Sequence, residues 1–147
     1  MNSGWLGYRD LMDYNVAGKK IRELRRVLIY GTCVRDEHPE IFRELAKDRV
    51  PLAVCLEYTH FNMVALKLAS MFARVKLEEV IVLTVDGSPH CVQLHHAVEE
   101  ARRVVGDMAP RVEHYVIEGG KAVRVSEKAV KTARYLSKVD IFLHKTF

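Results

Sequence analysis

Side-chain amides are scarce in this chain, with three Asn and the single Gln93 among 147 residues. Val, Glu, Arg and Lys are plentiful, a balance that points to a heat-adapted source. The source bears on the cysteines, because intracellular disulfides are rare outside such organisms. Long apolar runs are also missing. The longest, Phe61 to Ala73, is too short and too interrupted to span a bilayer. Met1 to Asp10 lacks the basic start and apolar stretch of a secretory signal, so the expectation is a cytoplasmic protein with no membrane partner. Tight C-x-x-C and H-E-x-x-H spacings are absent, as are a G-K-[ST] phosphate loop, a G-x-G-x-x-G fingerprint and a C-x5-R loop after any cysteine. No standard metal, nucleotide or phosphatase signature is met.

What is present describes a folded domain. Apolar residues make up 49% and charged residues 29%, enough for a real core with a well-solvated surface. The expectation is one domain over 1–147, with 1–8 loose and 9–25 a broken helical extension. The net charge of +4 is mild. Its densest basic run, Lys19, Lys20, Arg22, Arg25 and Arg26, reads as a solvated helix face, so nucleic acid is not an expected partner.

From Arg26 onward, short apolar runs alternate with helical patterns. Val27 to Tyr30 reads as a buried strand ending in Gly31-Thr32-Cys33, and His38-Pro39 opens a helix. Pro51 starts a second strand through Leu56, with Thr59 as the expected cap of the next helix. Val80 to Val85 is the third strand. It leads through Asp86-Gly87 to Ser88 as N-cap, Pro89 at the first helical position and a helix stopping at Gly106. Val112–Ile117, Glu118-Gly119-Gly120 and Ala122–Val125 read as a hairpin. Ser126 then caps a last helix expected to turn Val130, Ala133, Leu136 and Val139 inward. Buried runs alternating with helices specify a three-layer α/β/α fold, Rossmann-like or flavodoxin-like. Its mostly parallel sheet has four strands in the order 2-1-3-4 plus an antiparallel edge strand.

The helix over 61–73 breaks the amphipathic rule, with only Asn62, Lys67 and Ser70 polar among thirteen positions. It requires cover on a second side, by residues 9–25 or by another copy of the chain. Ala65, Ala69 and Ala73 form a stripe permitting close approach, which makes a homo-oligomer through this helix one expectation.

Ligands of a parallel α/β sheet bind beyond the carboxyl ends of its strands. Cys33, Cys55 and Cys91 all fall there. Cys91 sits in the first turn of its helix, where free amides and the dipole favour a thiolate, and His95 follows at i+4. Two chemistries remain open. In one, Cys33, Cys55, Cys91 and His90 bind a metal ion or iron–sulfur cluster, or the thiols serve redox exchange. In the other, Asp86, Gly87, Ser88, His90 and Glu57 hold a small phosphate- or carboxylate-bearing ligand, with Cys91 as nucleophile and His95 as base. His96 is expected to face solvent. A third possibility is a non-catalytic interaction subunit docking through the apolar helix.

Leu83-Thr84-Val85-Asp86-Gly87-Ser88-Pro89-His90-Cys91 resembles an uncharacterised archaeal α/β family, a likeness that implies no activity. Cysteines at successive strand ends over Val27 to Val105 also resemble the small iron–sulfur subunit of methyl-viologen-reducing hydrogenases. That second resemblance implies a cluster, but the paired cysteines of such subunits are missing here. Three thiols complete a cluster only with a histidine, an outside ligand or a second subunit.

Overall fold

The computed structural model describes residues 9–146. The expectation that 1–8 are loose lies outside them. The elements run α1 (Lys19–Leu24), β1 (Arg26–Gly31), α2 (Thr32–Glu37), α3 (Pro39–Ala46), β2 (Val50–Val54), α4 (Phe61–Arg74), β3 (Glu79–Val85), α5 (Pro89–Val105), β4 (Arg111–Glu118), β5 (Lys121–Val125), α6 (Glu127–Thr132) and α7 (Leu136–Thr146). A single 3₁₀ turn, Leu11–Asp13, precedes them.

The sheet has the order β2-β1-β3-β4-β5. The first four strands are parallel and β5 is antiparallel to β4. This is the expected topology. β1, β2 and β3 are buried along nearly their whole length because helices cover both faces. On one face Val27, Ile29, Val80 and Val82 pack with Val64, Leu68 and Phe72 of α4 and Leu94, Val98 and Ala101 of α5. On the other, Leu28, Tyr30, Ile81 and Leu83 pack with Val34 of α2 and Phe42 of α3. Each fully buried side chain of this size contributes about 1.5–3 kcal/mol. The β4–β5 turn needs left-handed backbone at both central residues, which Gly119 (φ +60°) and Gly120 (φ +77°) supply.

Cover for α4 comes from the N-terminal segment. Leu11 and Tyr14 are buried in the same core as Val64, Leu68 and Phe72, and Lys67 Nζ donates to the Met12 carbonyl at 3.3 Å. Met63 and Leu66 remain exposed. Among the described residues no helix is long and apolar enough to cross a membrane.

Three expectations change. Thr32 and Cys33, read as the end of the first strand, instead begin α2, a helix for which no signal was read. His60, not Thr59, caps α4, its Nδ1 accepting the Asn62 N–H at 3.1 Å. The last helix is two helices. Val130 is buried, but Ala133 and Leu136 are exposed and Val139 is only half-buried, because no neighbouring layer reaches them.

Candidate functional site

β1 and β3 are neighbours, but the chain leaves β1 for the face carrying α2 and leaves β3 for the face carrying α5. Opposed exits of this kind open a crevice at the carboxyl edge, the usual ligand site of doubly wound sheets. Here that crevice is a cavity of about 140 Å³. Cys33, Cys55 and Cys91 all line it, together with Glu57, Ser88 and His90, while Val54 and Leu94 form its apolar wall. The sequence placed three strand ends on one rim, and the structure brings their cysteines into one space.

Cys33 and Cys91 are neighbours whose side chains interact. A Cβ added at Gly31 would lie 3.6 Å from the Cys91 sulfur and 4.0 Å from the Cys33 sulfur, so both thiols crowd the end of β1. All three cysteines are free thiols, Cys91 buried and the other two half-buried. Burial pushes the Cys33 thiol up to about 11, and the adjacent Cys91 and the Glu37 carboxylate push it the same way. Cys33 is therefore a protonated thiol at neutral pH.

The turn before α5 holds its shape through one left-handed glycine and two hydrogen bonds. Gly87 adopts φ +107°, the Asp86 N–H donates to the Ile117 carbonyl at 3.1 Å, and Ser88 Oγ accepts the Cys91 N–H at 3.4 Å. Glu57, Ser88 and His90 of the expected anion-binding set line the cavity, whereas Asp86 and Gly87 are exposed outside it. An anion would find few amides here. Pro89 has no N–H, and that of Cys91 is already engaged by Ser88. Among the described residues no group of three or more His, Cys, Asp or Glu is placed to hold a metal ion. Cys33, Cys55, Cys91 and His90 share the cavity without forming such a group.

His95 is used differently from its expected part as a base for Cys91. It is 2% exposed, its Nε2 lies 2.8 Å from Thr84 Oγ1 and its Nδ1 lies 2.8 Å from His114 Nδ1. Burial first, then the neighbouring His114 and His96, pull its pKa from 6.5 to about 3. A ring with both nitrogens occupied and so little basicity is a poor acceptor for a thiol proton. The histidine that lines the cavity with the thiols is His90.

Thr84, Glu99 and His114 are polar residues the sequence reading did not single out. His114 Nε2 lies 2.6 Å from Glu99 Oε2, and Arg102 donates to both Glu99 oxygens at 3.0 and 3.1 Å. Burial alone would raise the Glu99 carboxyl, but His114 and Arg102 outweigh it and hold it below the usual carboxylate range. One available signal was the period of β4, which turns His114 to the same face as Val112 and Val116, towards α5. His96 is half-buried rather than solvent-facing, with Nε2 3.1 Å from the Val130 carbonyl.

Comparison with known proteins returns one finding. A family model described as a Rossmann-like domain matches residues 21–143. The match supports the α/β family resemblance carried by Leu83 to Cys91, and no comparison supports the hydrogenase subunit. No curated protein and no solved structure matches the chain.

Proposed function

The chain belongs to the Rossmann-like domain family, and from that premise we propose that its carboxyl-edge cavity is a thiol–disulfide exchange site, with Cys33 and Cys91 as the exchanging pair. The observation that carries the reading is the convergence of the two sulfurs on the end of β1, inside a cavity that Cys55 also lines.

The co-reactant is a small molecule containing a disulfide. Cys91, as thiolate, attacks one of its sulfurs, the substrate S–S bond breaks, and the first small thiolate leaves to take a proton from solvent. Cys33 then gives its proton to solvent, attacks the Cys91 sulfur of the mixed disulfide and expels the second thiolate, which takes a proton in turn. Two cysteine thiols become one disulfide and one substrate disulfide becomes two thiols, so atoms and electrons balance. The roles follow from position. Cys91 stands in the first turn of a 17-residue helix, at the wall of the cavity where a small disulfide enters. Cys33 is held protonated until it is called upon.

The test is to treat reduced protein with bis(2-hydroxyethyl) disulfide and map the products by mass spectrometry. A Cys33–Cys91 crosslink is expected in the wild type, and Cys33→Ser should accumulate a mixed disulfide on Cys91. Alkylation-competent thiols that never form that crosslink overturn the proposal.

A further inference from the structure

The charge around the cavity identifies the substrates the site accepts, an inference resting on the thiol-exchange reading. Of the described residues lining the cavity, Glu57 is the one carboxylate, and neither Lys nor Arg is among them. Glu37, at the end of α2, acts electrostatically on the Cys33 sulfur. Asp86 stands exposed in the turn that leads to Ser88 and Cys91. Among the described residues none of these three carboxylates is in an ion pair. The nearest arginine in the sequence, Arg35, is turned to Asp36 at 3.0 Å and to Tyr30. Among the described residues, His90 is the only basic side chain at the cavity wall.

We infer that this site selects disulfides carrying positive charge over those carrying carboxylates, with Glu57 at the cavity wall as the main selecting residue. The thiolate formed on Cys91 adds to the same field. An anionic disulfide must bring its charges up against Glu57, Glu37 and the attacking sulfur together, and no described Lys or Arg lines the cavity to receive them. A cationic one is drawn in by all three. Exposed charges at such separations act through water, so each contributes only a few-fold, and the effect fades as salt shortens the screening length from about 10 Å at 0.1 M to about 3 Å at 1 M. Summed over a doubly charged substrate, the rate ratio between cationic and anionic partners should reach about tenfold or more at low salt. The selection also runs against the phosphate- or carboxylate-bearing ligand read from the turn sequence alone.

The experiment compares oxidation rates of reduced protein by cystamine, bis(2-hydroxyethyl) disulfide and dithiodiglycolate, each corrected for its rate with a free small thiol. The expected order is cystamine, then the neutral compound, then dithiodiglycolate, with the spread collapsing in high salt. Glu57→Gln should narrow the cystamine-to-dithiodiglycolate ratio, and Glu57→Lys should bring it near unity or invert it. Glu57 is exposed, so both variants are expected to fold. Equal rates for the charged compounds, or a ratio unmoved by Glu57→Lys, overturn this inference while leaving the exchange reading standing. Failure of all three to produce the Cys33–Cys91 crosslink overturns the exchange reading itself.

Discussion

His95 Nδ1 and His114 Nδ1 stand 2.8 Å apart in the interior, so one ring must donate to the other. The Glu99 carboxylate accepts from His114 Nε2–H at 2.6 Å and so holds that ring from its other side. His95 Nε2 in turn shares a hydrogen bond of 2.8 Å with the Thr84 hydroxyl. Thr84, His95, His114 and Glu99 form one continuous hydrogen-bonded chain, in which burial keeps the His95 ring neutral at neutral pH.

Acid should unfold the protein earlier than its carboxylates alone would dictate. His95 takes up a proton near 6.5 when unfolded but only near pH 3 when folded. The native state is thus fully favoured above pH 6.5 and loses stability as the pH falls towards 3. The loss is roughly 2 kcal/mol at pH 5. His96, also lowered by burial, adds in the same direction, while Glu79 and Glu99 contribute only below about 4.5. Urea midpoints at pH 7.5 and 5.0 measure the slope. His95→Gln should flatten it, and a flat wild-type profile would contradict the assignment.

Thr84→Val keeps the shape of a buried side chain but leaves His95 Nε2 without its hydrogen-bond partner. The cost should be about 1–3 kcal/mol. Thr84→Ser, which retains the hydroxyl, should lose clearly less by thermal or chemical unfolding.

Glu79 is bonded at the same 2.7 Å to Arg49 and Arg111, yet the two contacts differ in worth. Arg49 is mostly buried, its side chain 17% exposed, while that of Arg111 is 60% exposed. Arg111→Ala should cost little, as the loss of an exposed, solvent-screened ion pair does. Glu79→Ala strands Arg49 as well and should cost about 3–5 kcal/mol. Equal effects in unfolding experiments would mean that burial does not govern this cluster.

Cys33 should resist iodoacetamide at neutral pH and gain reactivity only as the pH climbs towards its value of about 11. Cys91→Ser removes a neighbour that raises that value. The midpoint of the Cys33 alkylation profile should then move down, though not to that of a free thiol, because burial is the larger cause. An unmoved midpoint would separate the two sulfurs.

Leu11 tests whether the N-terminal segment belongs to the core. It is fully buried beside α4, so Leu11→Ala should destabilise by about 2–5 kcal/mol. A change under 0.5 kcal/mol would show that α4 folds without this cover.

The sheet was legible in the chain because Val27–Tyr30 and Val80–Val85 are unbroken apolar runs between helix signals, a pattern with few other solutions. The rim position of the cysteines followed from strand direction alone. What the pattern could not give was partnership. Thr32 to Glu37 carries one buried residue, Val34, too little periodicity to announce a helix. Ala133 and Leu136 have inward spacing but no layer opposite them. His95 lies at i+4 from Cys91, which fits a thiol–base pair; the choice of Thr84 and His114 instead depends on which strand residues face α5, a tertiary fact. Periodicity reports which face of an element is apolar, not what stands against it.

The sheet's two borders are protected by different means. At β2, the Ala53 N–H donates to the Arg9 carbonyl at 2.9 Å, and Asp10 forms a bridge to Ala53, so a piece of the leading segment occupies the outer hydrogen-bonding positions. At β5, exposed Lys121 and Arg124 place positive charge along the open side. Either device discourages another chain from adding a strand. A molecule with a nearly all-apolar central sheet is thereby kept from the stacking that leads to fibrils, and trimming the leading segment would remove one of its two safeguards.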